Sequence, residues 1–182
     1  PISGAKNAVL PIMAATIIAP GRYRFTNVPD LQDTHTMKKL LEIIGAKVRY
    51  ENNIIEINTN HCNTPVAPYD IVKTMRASFY ILGPLLSRFK YAEVSLPGGC
   101  AWGPRPVNYH LMAMEKLGAE VHLSDGMIIV KGDMEGAEIR FKQSSVGATG
   151  NTIMAAVKAN GITKINNSAQ EPEIEDLCLF LN

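Results

Sequence analysis

The chain has 182 residues, 46% apolar and 19% charged, with a formal net charge of +1. That is enough sequence for one substantial domain with its own core, and the near-neutral balance gives no reason to expect nucleic acid or an anionic membrane as partner. No run of eighteen apolar residues occurs, so no transmembrane helix is expected.

In chain order, "SGAKNAVLPIMAATIIAPG" places Lys6 and Asn7 just ahead of an apolar helix. A strand and the acidic helix start "PDLQD" follow. The next helix turns Met37, Leu40, Leu41 and Ile44 to one face and stops at Gly45, which suits a left-handed C-terminal cap. Two strands then flank Asn52-Asn53, residues suited to a type I′ turn because both central positions need positive φ. "VKTMRASFYILGPLL" carries Arg76 at the start of a second apolar helix. After "VSLPGGCAWGPRPVNYH" comes a helix with Val107, Leu111, Met114 and Leu117 on one face, then Gly118, a strand, Asp125-Gly126 and another strand. "SSVGATGNTIMAAV", Asn167, "EPEIED" and the amphipathic "LCLFLN" complete the chain.

Gly45 and Gly118 stand 73 residues apart, and the segments around them align without a gap. A partial third copy pairs "IMAATIIAPG" with "IMAAVKANG" and Asn27 with Asn167. Each unit reads helix, strand, crossing loop, helix, β-hairpin, about three times over, as internal duplication leaves behind. The third copy stops before its own Gly-Ala, and the chain starts at Pro1, so it reads as a piece of a longer protein. An α/β fold of about three units closing on one core is expected rather than a simple solenoid, because the first helix of each unit is apolar nearly all round.

The spacing puts Cys100 at the repeat position of Asn27, a strand-to-helix junction. Glycines there let backbone approach a ligand, Pro106 suits a first helical turn, and Arg105 falls at a helix N-terminus that favours anions. A cysteine at such a positive end is a candidate reactive thiolate; the alternative is a small buried cysteine in a tight turn. Lys6, Arg76 and "SSVGATGNT" hold equivalent helix starts, and if the units close these ends converge on a phosphate-bearing ligand. Cys62, Cys100 and Cys178 are widely spaced and without a CxxC, which points to a reducing, cytoplasmic setting. His61 beside Cys62 cannot complete a metal site alone, and neither metal nor cofactor is expected.

The segments "SGAKNAVLP", "APYDIVKTMRAS", "VSLPGGCAWGPRPVNYH", "SSVGAT" and "EPEIEDLCLFL" resemble the enolpyruvyl transferases, nearly end to end. The resemblance implies an inside-out α/β barrel of three βαβαββ-type units, one of two such domains with the active site between them. It lies nearer the branch acting on UDP-N-acetylglucosamine in peptidoglycan synthesis than the branch acting on shikimate 3-phosphate, which is not expected to carry the Cys100 loop or "RPVNYH". The implied reaction moves the enolpyruvyl group of phosphoenolpyruvate to the sugar 3′-hydroxyl. Cys100 would be the acid toward the methylene carbon and the atom alkylated by fosfomycin. Lys6 and Asn7 would meet phosphoenolpyruvate and the sugar, with Lys6 countering its charge, and Arg76 and Arg105 would hold anionic groups. Arg105, Pro106, Val107, Asn108 and Tyr109, with Gln143, Ser144, Ser145 and Val146, would line the uridine nucleotide. Asn108 departs from the family's aspartate and Gln143 from a frequent lysine. The partner domain, with the family's acid/base aspartate, is not in this chain, so the fragment is expected to be inactive or nearly so alone. The competing reading is a non-catalytic module that binds a nucleotide sugar or another protein.

Overall fold

A computed structural model of the chain describes residues 2–96 and 107–182. The first segment folds as α1 (Lys6–Ala15), β1 (Arg22–Phe25), α2 (Gln32–Ile44) and the hairpin β2 (Lys47–Glu51) with β3 (Ile54–Asn58). The second runs β4 (Val66–Ala67), a short α3 (Tyr69–Val72), a 3-10 run over Arg76–Ile81 that continues into α4 (Leu82–Phe89), β5 (Tyr91–Ser95), α5 (Asn108–Lys116) and the hairpin β6 (Glu120–Ser124) with β7 (Met127–Lys131). The third comprises β8 (Glu138–Arg140), α6 (Val146–Ala156), β9 (Lys164–Asn166) and α7 (Pro172–Leu181).

The duplicated sequence folds twice into the same local geometry. Gly45 and Gly118 have φ of 106° and 94°. In both copies the glycine N–H donates to the carbonyl three residues back (Glu42, Glu115), and the following alanine N–H to the one five back (Leu41, Met114), a Schellman cap. Asn52, Asn53, Asp125 and Gly126 all have positive φ, as a type I′ turn requires. The sheets repeat as well. β1, β3 and β2 lie in that order, all antiparallel, and β5, β7 and β6 reproduce it. β4 adds parallel to β5, and β8 pairs parallel to β9 in the same manner. Asn27 and Asn167, each just past a strand, share left-handed backbone at φ 58° and 56°.

Helices pack on helices at the centre: α4 and α5 both lie on α6, and α1 lies on α2, α7 and the 3-10 run. Met13, Ile17, Met37, Leu41, Ile81, Leu82, Leu85 and Ala148 are shut off from solvent, joined by Ile55, Ile57, Ile128 and Val130 from the inner faces of the sheets. The expected apolar face of α2 is fully buried. On α5 only Met114 and Leu117 of the expected four are, with Ala113 and His110 completing the face. Long cations tie the segments together, as Arg88 Nη1 donates to the Ile17 carbonyl at 3.0 Å and Lys158 Nζ to that of Ile18.

The α4–α6 crossing is a close packing that bears on the site. Gly83 sits against the Asn151 backbone carbonyl, and a Cβ at 83 would run into that oxygen. Gly83→Ala is expected to lower unfolding free energy by about 1–3 kcal/mol, the usual cost of overpacking, read as a lower urea midpoint at unchanged m-value. An unchanged midpoint would show that the helices separate freely.

Candidate functional site

Three chain positions far apart in sequence open on one cavity of about 530 Å³. α1 contributes Lys6, Asn7, Leu10 and Pro11, and the 3-10 run contributes Arg76, Ala77, Phe79 and Tyr80. The start of α6 contributes Ser145, Val146 and Gly147, while Val107 and His110 arrive with α5. Asp33 of α2 and Glu173 of α7 complete the charged lining. The expected convergence of Lys6, Arg76 and the "SSVGAT" turn is therefore present.

Each position has a local cause. Lys6 is the first residue of α1 rather than just ahead of it, where a cation opposes the helix dipole. Asp33 in the first turn of α2 offsets this, with Lys6 Nζ 2.9 Å from its Oδ2. Ser145 caps α6, its Oγ accepting from Ala148 N–H at 3.4 Å. Val146 and Gly147, the first two residues of α6, belong to the lining, and a helix start favours an anion.

The lining also holds two neutral donors. Burial, reinforced by the Glu173 carboxylate, pushes the Tyr80 hydroxyl up to about 12, so it keeps its proton at neutral pH. His110 is buried, and desolvation followed by the nearby Arg76 guanidinium holds its imidazole down at about 3. Its Nδ1 lies 2.9 Å from Asn151 Nδ2, and the Phe79 ring meets it edge-on with centroids 4.9 Å apart.

Of the residues expected from sequence, Lys6, Asn7, Arg76, Val107, Ser145 and Val146 share this cavity. Asn108 is exposed, Tyr109 turns its ring onto Phe141 at 5.8 Å, and Gln143 and Ser144 are exposed on the approach to α6, none of them in the lining. Cys100, Arg105 and Pro106 lie outside the described residues; Val107, the next described residue after them, reaches the cavity. Asp33, Tyr80, His110 and Glu173 were not singled out from the sequence. All four nevertheless stand inside stretches read from the sequence: Asp33 in "PDLQD", Tyr80 in "VKTMRASFYILGPLL", His110 in "RPVNYH" and Glu173 in "EPEIED". Among the described residues no group of three or more His, Cys, Asp or Glu is placed to hold a metal ion, and no helix is long and apolar enough to cross a membrane. Cys62 is buried with its thiol pushed up by desolvation, and Cys178 is exposed.

The fold is shared with known proteins. An enolpyruvyl transferase, NikO, from Streptomyces tendae superposes with a TM-score of 0.85 at 20% identity, over 98% of this chain and 42% of that one. EPSP synthase from Acinetobacter baumannii superposes at 0.76 and 15%, over 96% and 42%. These likenesses establish a mixed α/β, enolpyruvyl transferase-like fold. The profile of the EPSP synthase (3-phosphoshikimate 1-carboxyvinyltransferase) family matches residues 1–182, and the chain belongs to that family. Within it, the chain is 55% identical to UDP-N-acetylglucosamine 1-carboxyvinyltransferase of Chlorobium phaeovibrioides (strain DSM 265 / 1930), over 98% of its own length and 43% of the relative's. The enzyme of that name from Chloroherpeton thalassium (strain ATCC 35110 / GB-78) is 54% identical, over 99% and 43%. The chain thus spans less than half the length of these relatives.

His110 gives the site a pH signature. Its folded value, about 3, lies below the ordinary 6.5, so on acidification the unfolded chain takes up a proton that the fold refuses. The stability from burying the neutral ring is present above the unfolded value and is lost as pH falls from there toward the folded one, at no more than about 1.4 kcal/mol per pH unit. Urea unfolding of the parent and His110→Gln at about pH 7 and about pH 4 is expected to show a shallower loss in the variant. Parallel losses would mean that His110 takes up a proton in the fold.

Proposed function

We propose that this chain is the loop-bearing domain of a UDP-N-acetylglucosamine 1-carboxyvinyltransferase, which moves the enolpyruvyl group of phosphoenolpyruvate to the 3′-hydroxyl of UDP-N-acetylglucosamine in peptidoglycan synthesis. The observation that carries the proposal is the meeting of Lys6, Arg76 and the start of α6 in one cavity, in a chain about half identical to enzymes of that name. Phosphoenolpyruvate and a sugar diphosphate bring several negative charges, and fixed cations with oriented N–H groups stabilise them where charge shifts in the transition state.

In this reading the sugar 3′-hydroxyl gives its proton to a base as its oxygen bonds to C2 of phosphoenolpyruvate, while the methylene carbon takes a proton from an acid. Phosphate then leaves C2 as a proton departs the new methyl group, regenerating the double bond. Cys100 is the acid toward the methylene, a role worth about 10²–10⁴-fold. Lys6 counters phosphate or carboxylate charge, with Asn7 beside it, and Arg76 and Arg105 hold anionic groups. Pro106 to Tyr109 and Gln143 to Val146 bear on the nucleotide, where Asn108 and Gln143 replace the family's aspartate and frequent lysine. The helices inside and sheets outside form an inside-out barrel of three βαβαββ-type units, the first without its leading strand and the third without its closing hairpin. A second domain, beyond the 43% of the relatives' length spanned here, completes the active site, and the enzyme works in the cytoplasm.

The test is calorimetric titration with UDP-N-acetylglucosamine, together with mass-spectrometric mapping of fosfomycin adducts. Binding is expected to weaken about 10–100-fold in Lys6→Ala, as loss of a charge-assisted contact does. Labelling is expected at Cys100 ahead of Cys62 and Cys178, and faster with the nucleotide sugar present. Equal labelling of the three thiols with binding indifferent to Lys6 would favour a module without this chemistry.

A further inference from the structure

Asn151 of α6 is wholly buried and lies behind His110, outside the cavity lining. Its amide orientation is set by two backbone groups whose roles are not interchangeable. Gly83 N–H, a donor only, points at Oδ1 at 2.8 Å, and the Phe79 carbonyl, an acceptor only, lies 2.9 Å from Nδ2. The second hydrogen on Nδ2 therefore faces His110 Nδ1, at 2.9 Å. Nδ1 must then accept, and in a neutral ring the proton resides on Nε2.

The opposite edge of the ring faces the cavity. Gly147, which lines it, would bring a Cβ to 3.3 Å from Cε1 and 3.4 Å from Nε2, so a side chain there would crowd that edge and glycine leaves it room. Phe79 meets the ring at 82° and holds its plane. The other titratable groups on the cavity are Lys6, Asp33, Arg76, Tyr80 and Glu173.

We propose that Asn151 is a positioning residue that locks His110 as the neutral tautomer with its proton on Nε2, giving the cavity an uncharged N–H donor for one oxygen of an oxyanion beside Lys6 and Arg76. The depressed imidazole agrees with this, since a ring that donated from both nitrogens would place a second charge beside the Arg76 guanidinium. A neutral donor adds a hydrogen bond without that repulsion. The tautomer lock stands on geometry alone; only the ligand half rests on the anion-site reading above.

The experiment is long-range ¹H–¹⁵N NMR of the histidine rings in this chain, assigned with His110→Gln, followed by titration with inorganic phosphate. His110 is expected as the Nε2–H neutral form, unchanged from about pH 5 to about pH 8. An Nδ1–H form or an imidazolium in the unmodified protein overturns the lock. Asn151→Asp keeps an acceptor for Gly83 but places an acceptor at Nδ1, and is expected to move a proton there. A folded variant still showing the Nε2–H neutral form overturns the role of Asn151. Phosphate is expected to shift His110 Nε2–H together with the amides of Val146 and Gly147. Shifts at the amides without His110 overturn its donor role, whereas shifts at none of them overturn the anion-site reading and leave the tautomer result to stand by itself.

Discussion

Where α4 crosses α6, Gly83 and Asn151 bring two helix backbones closer than any side chain at 83 would allow. The close approach lets the Asn151 amide reach the Gly83 N–H and the Phe79 carbonyl at the turn from the 3-10 run into α4, and from there His110 on α5. Three helices are pinned at one buried polar point. Asn151 is fully sealed, and desolvating an amide is tolerable only because its donors and acceptor are used. The same point sets the height of Arg76 and Tyr80, seven and three residues before Gly83, against the start of α6.

The cavity is a product of repetition. α1, the 3-10 run and α6 begin in corresponding places in their segments, and each supplies a different group: an ammonium, a guanidinium, and a capped turn with spare N–H donors. Association of the segments brings like-signed groups together, which costs Coulomb energy while no anion is present. Asp33 holds Lys6 at 2.9 Å and Glu173 shares the lining with Arg76, so the lining carries acidic partners of its own. In the function proposed here, an oxyanion would compete with these carboxylates for cations already in place.

Local features were legible in the residues. The Schellman glycines, Asn52-Asn53 and Asp125-Gly126 appear as expected because positive φ is a property of a few bonded neighbours. The apolar face of α2 was readable for the same reason, periodicity being local. The face of α5 was less so: Val107 and Leu111 are only half-buried, and His110 and Ala113 join Met114 and Leu117 on the buried side. His110 looked like one polar residue in a motif; nothing short of knowing that Asn151, 41 residues on, lies behind it marks it as a buried donor. Tyr109, expected near a nucleotide, sets its ring at a tilt against Phe141, while His110, about 100° round the helix from it, is buried.

The sequence by itself determined the duplicated units, their caps and hairpin turns, the apolar stripes, and the chemistry available at Lys6, Arg76 and the start of α6. These depend on φ preferences and periodicities that act over a few residues. Only the tertiary structure decided that these groups face one cavity, that Asp33, Tyr80 and Glu173 share it, and that His110 enters it as a neutral ring. Such outcomes depend on how closely helices cross, and that distance is set by contacts such as Gly83 against Asn151, between residues 68 apart in the chain.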